Sequence, residues 1–421
     1  MKPLSLLLFF FFVIANSIVL CNSFDVHEAL SYAIRQYGLL AHNLEDDDRF
    51  IYTGNPTNSE WDKSTDSSSW TVGFYTGTLW KLYKLTNDKY WMEQALHKQE
   101  TIRHRQFDES NHDVGFIIMS SFGYALTLTG DRSFEEVIIQ AADSLATRYN
   151  SVCGVFRSWN NGEWNGGADG DLLVIADNMM NLDLMFTATE LSGNQSYAQM
   201  AISHSEKTFE NHFRENGQGV FHVVAYNENT GAVRRKYNYQ GYADDSTWAR
   251  GLAWVVHGYA TTYDHTKNPS FLEYAEKAAE YFVDNLPADW VPYYDFDCPY
   301  TDMYQPRDTS AAAITAHALL KLYRSTNKIK YFQQAESILE ALFSPSYRAD
   351  GRSSYKLPAI LANGTVHFNA GNFDTAIIYG DMYFLEAIDL YMYTGSGYKN
   401  VLFVNTLGLT FLQLFMNLFR K

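Results

Sequence analysis

Cysteine is scarce in this sequence. Three occur in 421 residues, and Cys21 sits at the end of an apolar N-terminal run, which leaves Cys153 and Cys298. Two cysteines allow one disulfide or two buried thiols, and they exclude a disulfide scaffold. Positive charge is also short. Against 48 Asp and Glu stand 32 Lys and Arg, a formal charge of −16, which argues against nucleic acid or another polyanion held by bulk electrostatics. A small anionic ligand would therefore need a local cation. The 12 histidines show no H-E-x-x-H or comparable spacing, and no phosphate-cradling glycine loop appears. No cofactor or metal is expected, and the acidic runs Glu45–Asp48 and Ala168–Asp171 read as solvated turns rather than calcium sites.

Rings are plentiful instead. With 46% hydrophobic and 16% aromatic residues, including 30 Tyr and 9 Trp, the chain can bury one large core or two ordinary ones. Rings with a polar edge serve equally in packing and in stacking flat, hydroxylated ligands such as sugars. Residues 1–23 carry Lys2, an apolar run from Leu4 to Leu20 and small residues near the end, the pattern of a secretory signal peptide. Export to a secreted or extracellular location is the expectation, with Asn194 and Asn363 as glycosylation sequons. At the other end, residues 398–421 contain an uncharged stretch from Val401 to Phe419 followed by Arg420 and Lys421. It reads as a weak membrane anchor, as a lipid-anchor signal with attachment at Gly395, Ser396 or Gly397, or as a helix-packing tail.

Between these ends a pattern recurs six times. An apolar run closes on Thr or Ser, a turn follows, and an aromatic opens the next run: Leu82–Tyr90, Leu126–Phe134, Ala188–Tyr197, Thr262–Phe271, Leu322–Tyr331 and Leu390–Tyr398. Flanking segments space apolar residues by three and four, as amphipathic helices do. Twelve helices pair into six hairpins if the first packs beside the last. The closed form is an all-α fold, an (α/α)6 barrel over residues 24–397. An open solenoid of the same hairpins would need capping repeats.

In such a barrel the inner helices all begin at one rim, so residues at their starts converge on one cavity. Those starts lie near Trp70, Asn111, Ala176, Asp244, Pro306 and Thr375. Asp245, Ser246 and Asp308 are as readily helix caps as catalytic groups. Asp113 and Asp177 stand out. Asp177 lies between Leu172–Ile175 and Met179–Leu182, apolar neighbours that disfavour its charged form, which is how an enzyme keeps an acid near neutral pH. Paired acids suggest glycosidic chemistry. His222 reads as a satisfied strand histidine or as a ligand contact.

Several of these stretches resemble a known family. Asn111–Phe116, Ala176–Leu182, Tyr239–Trp254, Val291–Pro299 and Pro306–Leu319 are similar to unsaturated glucuronyl hydrolases, glycoside hydrolase family 88. The resemblance runs in order from about Trp70 to Leu390. It implies an (α/α)6 barrel that removes a 4,5-unsaturated uronic acid from the non-reducing end of oligosaccharides left by polysaccharide lyases. The family's reaction hydrates the vinyl ether: an acid protonates C4, water adds at C5, and the hemiketal opens and releases the sugar. Carried over by motif, Asp177 is the acid and base, and Asp113 the partner that positions substrate and tunes that acid. His222, Gln240, Trp248, Arg250 and Trp254 fall on sugar-binding positions, with Trp159 and Tyr75 lining the same pocket. Arg250 would supply the cation for the substrate carboxylate, helped by the helix start. Tyr239 stands where many members have His, and Tyr75 where Trp is common. Unsaturated rhamnogalacturonyl hydrolases of pectin fragments and a non-catalytic sugar-binding relative are the rival readings.

Overall fold

The computed structural model of the protein describes residues 24–395 except 46, 56–59, 216–218, 300–304 and 352–355. The expected signal peptide and the tail from residue 398 lie outside the described residues.

Local chemistry at the turns explains the repeat. At the first, Thr86 Oγ1 donates to Leu82 O and accepts from Asp88 N, Asn87 takes the left-handed conformation at φ 56°, and Asp88 caps Tyr90 N. One short segment thus closes one helix and opens the next. The same hydroxyl bridge recurs at Thr129, Ser192, Thr266 and Thr326. The left-handed position there falls to Gly130, Gly193, Lys267 and Asn327.

These turns join helices in sequence: α1 (Val26–Asn43), α2 (Val72–Thr86), α3 (Lys89–Thr101), and α4, a rod of Val114–Ile118, a π turn Met119–Gly123 and Tyr124–Thr129. After these come α5 (Glu135–Ala146), α6 (Leu182–Ser192), α7 (Gln195–His212), α8 (Ala249–Thr266) and α9 (Pro269–Asp284). The last are α10 (Thr309–Thr326), α11 (Ile329–Leu342) and α12 (residues 378–395). Helices α2, α4, α6, α8, α10 and α12 form the inner ring, and the others pack outside them.

The ring closes through tight contacts. A methyl group placed on Gly73 of α2 would lie 2.6 Å from Ile117 O of α4, so only glycine allows that approach. Gly77 faces Met382 of α12 equally closely, and Lys81 reaches Glu386 of α12 at 2.7 Å. On the outside, Tyr37 of α1 donates to Asp381 of α12, so the first helix does pack beside the last. Among the described residues, twelve helices in six hairpins make the expected (α/α)6 barrel.

Short antiparallel sheets decorate the rim where inner helices begin. Strand β1 (Phe50–Asn55) pairs with β2 (Glu60–Ser64) and with β8 (Ala376–Ile377), and β3 (Tyr149–Asn150) with β4 (Val155–Phe156). Strand β6 (Val223–Asn227) lies between β5 (Asp171–Ile175) and β7 (Val233–Tyr237), with Ile175 opposite Val223. That register sets His222 beside Ala176, whose N–H bonds His222 O.

Three expectations resolve here. Cys153 and Cys298 are separate buried thiols. Asn363 is buried, sits at φ 58° and donates to Ser346 O, so the folded protein does not offer that sequon, whereas Asn194 is exposed and caps α7. Asp308 is indeed a cap, accepting from Ser310 N and Ala311 N, and Asp245 is exposed.

Candidate active site

Six chain segments meet at the rim. Asp113 occupies the N-cap position of α4, and Asp177 lies in a short 3-10 turn between β5 and α6. Trp248 is the N-cap of α8 and Arg250 its second residue. These four line one cavity of about 90 Å³ with Trp159, Gln240 and Ile175. Tyr52 of β1 and Trp70, just ahead of α2, complete the wall.

Both carboxyls are held near neutrality. Burial pushes Asp177 up from 3.8 to about 7; Arg250 opposes the shift and the charge of Asp113 adds to it. Asp113 is also raised to about 7 by burial, against the pull of Arg105 and Arg148. The indole N–H of Trp254 favours the charged form of Asp177 without forming a hydrogen bond of normal geometry. Two adjacent acids whose protons are exchangeable at pH 7 can donate and accept within one cycle.

A neutral imidazole faces each acid. Tyr239 N donates to His222 Nδ1 at 3.3 Å, so the proton of the neutral ring rests on Nε2, 3.6 Å from Asp177 Oδ2. Burial keeps His222 well below its usual pKa. Neither Nε2 nor Oδ2 has a hydrogen-bond partner among the described residues, so both are available to a ligand. On the other side, Phe116 N donates to Asn181 Oδ1, which orients the Asn181 amide to donate to His112 Nδ1. His112 Nε2 then lies 3.4 Å from Asp113 Oδ1, and burial lowers His112 to about 3.

Arg250 is more committed than its place in the sequence suggests. Its guanidinium is buried, bonds Asp308 Oδ2 at 2.6 Å and the carbonyls of Thr365 and Val366, and lies 4.5 Å from the Trp248 ring centre. It tethers the 365–366 loop to the rim, and its positive charge in the cavity is shared with Asp308. Gln240 Nε2 donates to the same Val366 O. Trp254 is fully buried beneath the cavity against Phe116 and Tyr383, 5.1 and 5.4 Å away, as a floor rather than a wall.

Tyr75 lies elsewhere. It stacks on Tyr37 of α1 at 6.3 Å and borders a separate small space with Val72 and Lys98. Its neighbour Phe74 faces the barrel axis, and one residue along a helix turns the side chain by about 100°. The ring that the sequence assigned to Tyr75 is supplied by Trp70, which contacts Phe74, Phe116 and Tyr379. Nothing in the spacing singled out Tyr52 or His112, although the neighbouring Asn111 and Asp113 were noted.

A larger cavity of about 420 Å³ lies within the barrel, from Gly115 and Met382 to Glu190, His265 and Lys321 of the inner helices. Its charges are matched internally, Lys321 with Asp264 at 3.2 Å and His265 with Asp183 at 2.7 Å. It lacks the paired raised acids.

Comparison with known proteins agrees with this geometry. An unsaturated glucuronyl hydrolase of Formosa agariphila is 39% identical over 76% of this chain and 80% of its own. An unsaturated chondroitin disaccharide hydrolase of Streptococcus agalactiae is 30% identical over 88% and 92%. The crystal structure of an unsaturated glucuronyl hydrolase specific for heparin superposes with a TM-score of 0.80 at 31% identity, covering 88% of this chain and 98% of that one. The unsaturated glucuronyl hydrolase of Bacillus sp. GL1 superposes at 0.78 with 28% identity over 87% and 97%. The profile of Glycosyl Hydrolase Family 88 spans residues 43–373, from the end of α1 past the loop that Arg250 holds. Barrel, paired acids and sequence together make this chain a glycoside hydrolase that belongs to Glycosyl Hydrolase Family 88.

Proposed function

We propose that the protein removes a terminal 4,5-unsaturated glucuronic acid from lyase-generated oligosaccharides by hydrating its C4=C5 bond. The observation that carries this reading is the pair Asp113 and Asp177, both raised to about 7 in one ring-lined cavity. Protonating a carbon of a vinyl ether needs an acid that is still protonated at neutral pH, and an ordinary surface carboxyl is not.

Asp177 gives its proton to C4, and positive charge develops at C5 and the ring oxygen. The carboxylate left on Asp177 takes a proton from water as that water's oxygen bonds C5, which restores the acid. The C5 hemiketal then opens by breaking its bond to the ring oxygen. C1 is left as a hemiacetal, and its collapse frees the leaving sugar. Asp113 adds to the raised affinity of Asp177 for its proton and holds substrate hydroxyls. The Nε2–H of His222 and the amide of Gln240 orient the ring, while Trp70, Trp159 and Trp248 shield it. Arg250, held by Asp308 and the 365–366 carbonyls, supplies the positive charge for the uronate carboxylate.

Export followed by secretion or surface attachment belongs to the same proposal. It rests on the leader at residues 1–23 and the apolar tail at 398–421. The test is incubation of the purified protein with unsaturated chondroitin, heparin and pectin disaccharides while the ultraviolet absorbance of the C4=C5 bond is followed. Decay with a glycosaminoglycan disaccharide supports the reading. Decay with the pectin disaccharide alone would move it to the rhamnogalacturonyl reaction, and no decay with any would leave a sugar-binding relative.

A further inference from the structure

Beside the catalytic cavity, a tryptophan is held out to solvent by a loop that is itself firmly fixed. Trp164 is 58% exposed, an unusual position for so large a ring. The next residue, Asn165, is buried; its Nδ2 donates to Asn160 O, its Oδ1 accepts from Gly162 N and Gly167 N, and its carbonyl accepts from Tyr237 OH. The loop is pinned so that the indole points outward. Gly162 makes room for it, since a Cβ there would lie 2.8 Å from Trp164 Nε1.

The indole extends a line of rings that starts at the acid. His222, beside Asp177, contacts Trp159 of the cavity wall at 5.8 Å. Trp159 contacts Trp164 at 5.3 Å and Tyr239 at 5.4 Å, and those two meet at 5.8 Å. His367 of the 365–372 loop borders Tyr239 at 5.2 Å. The line of rings therefore runs from the wall of the cavity at Trp159 to the surface at Trp164.

Resting on the function proposed above, the geometry points to Trp164 and Tyr239 as the platform for the leaving sugar and as determinants of leaving-group specificity. The platform takes an uncharged pyranose by its C–H face. A stacked face gains from burial of apolar surface and polarisable ring contact, which salt screens little.

The experiment compares two substrates of the full enzyme, an unsaturated uronyl disaccharide and the methyl glycoside of the same unsaturated acid, which has no second sugar. Trp164→Ala should raise KM for the disaccharide about tenfold at both low and high salt, with kcat held, and leave kcat/KM for the methyl glycoside unchanged. Gly162→Ala, which keeps the indole but displaces it, should move the same parameter in the same direction. Equal losses on both substrates, or no loss on the disaccharide, would overturn the platform. Failure of the wild type to consume either substrate would instead count against the hydrolase reading itself. A separate readout is quenching of tryptophan fluorescence when the disaccharide binds Asp177→Asn, which should shrink in the Trp164→Phe background and would be unchanged if Trp164 does not touch the sugar.

Discussion

At the scale of single residues, the activity requires charge states that burden the fold. Asp177 and Asp113 bind protons near pH 7 in the folded protein but near 3.8 when exposed. Each pH unit of difference corresponds to about 1.4 kcal/mol, so each buried carboxylate costs at most roughly 4 kcal/mol at alkaline pH. The sign follows from the raised folded value: the cost is absent below about pH 4, where folded and unfolded carboxyls are both protonated, and grows until it is complete above about pH 7. Asp177→Asn should therefore raise the urea midpoint relative to wild type at pH 8, with a smaller difference at pH 5. An unchanged or lowered midpoint at pH 8 would show that the carboxyl is not strained by burial. Turnover should fall about tenfold per pH unit above 7, because the acid must enter the cycle protonated.

At the scale of elements, two joints hold the rim. Asp308 caps α10 and bonds Arg250 of α8, so Asp308→Ala should cost about 3–5 kcal/mol in urea unfolding by leaving the guanidinium buried with two carbonyls and without the counter-charge of its pair. Gly73→Ala should cost roughly 1–3 kcal/mol, since the new methyl meets the backbone of α4 at Ile117, which cannot step aside as a side chain could. The elements also show what a sequence discloses. Helices and turns were legible because Thr86, Asn87 and Asp88 act within one short segment, and the same local chemistry returns at each later hairpin. Asp113, Asp177, Trp248 and Arg250 were legible as a group because their motifs sit where inner helices begin, whereas Trp159 and Gln240 came only through the family resemblance. Tyr75 was misplaced because the pattern gave its position along α2 but not its rotation about the axis. Tyr52 was missed because β1 is a short strand of a small sheet, paired with β2 and with the distant β8, and carries no periodic signal. The Arg250–Asp308 pair spans 58 residues and closes only when the ring does.

At the scale of the whole molecule, the barrel brings distant acids together only because α12 meets α2. Lys81 of α2 is buried against Glu386 and Asp389 of α12 at 2.7 and 3.2 Å. Removing Glu386 leaves the buried Lys81 with Asp389 alone, a carboxylate that Lys84 also shares. Glu386→Ala should lower stability and, through loosening of the rim, turnover. If stability falls and the residual folded fraction keeps full activity, closure and catalysis are independent. The most direct test of the central claim is to follow C4=C5 absorbance and release of the leaving sugar together, in wild type and in Asp177→Asn, at pH 6 to 9. The expected result is that the two signals move in step in the wild type, decline above pH 7 and vanish in the variant, which still binds the disaccharide. Sugar released while the double bond persists, or an Asp177→Asn protein that turns over at the wild-type rate, would contradict hydration by Asp177.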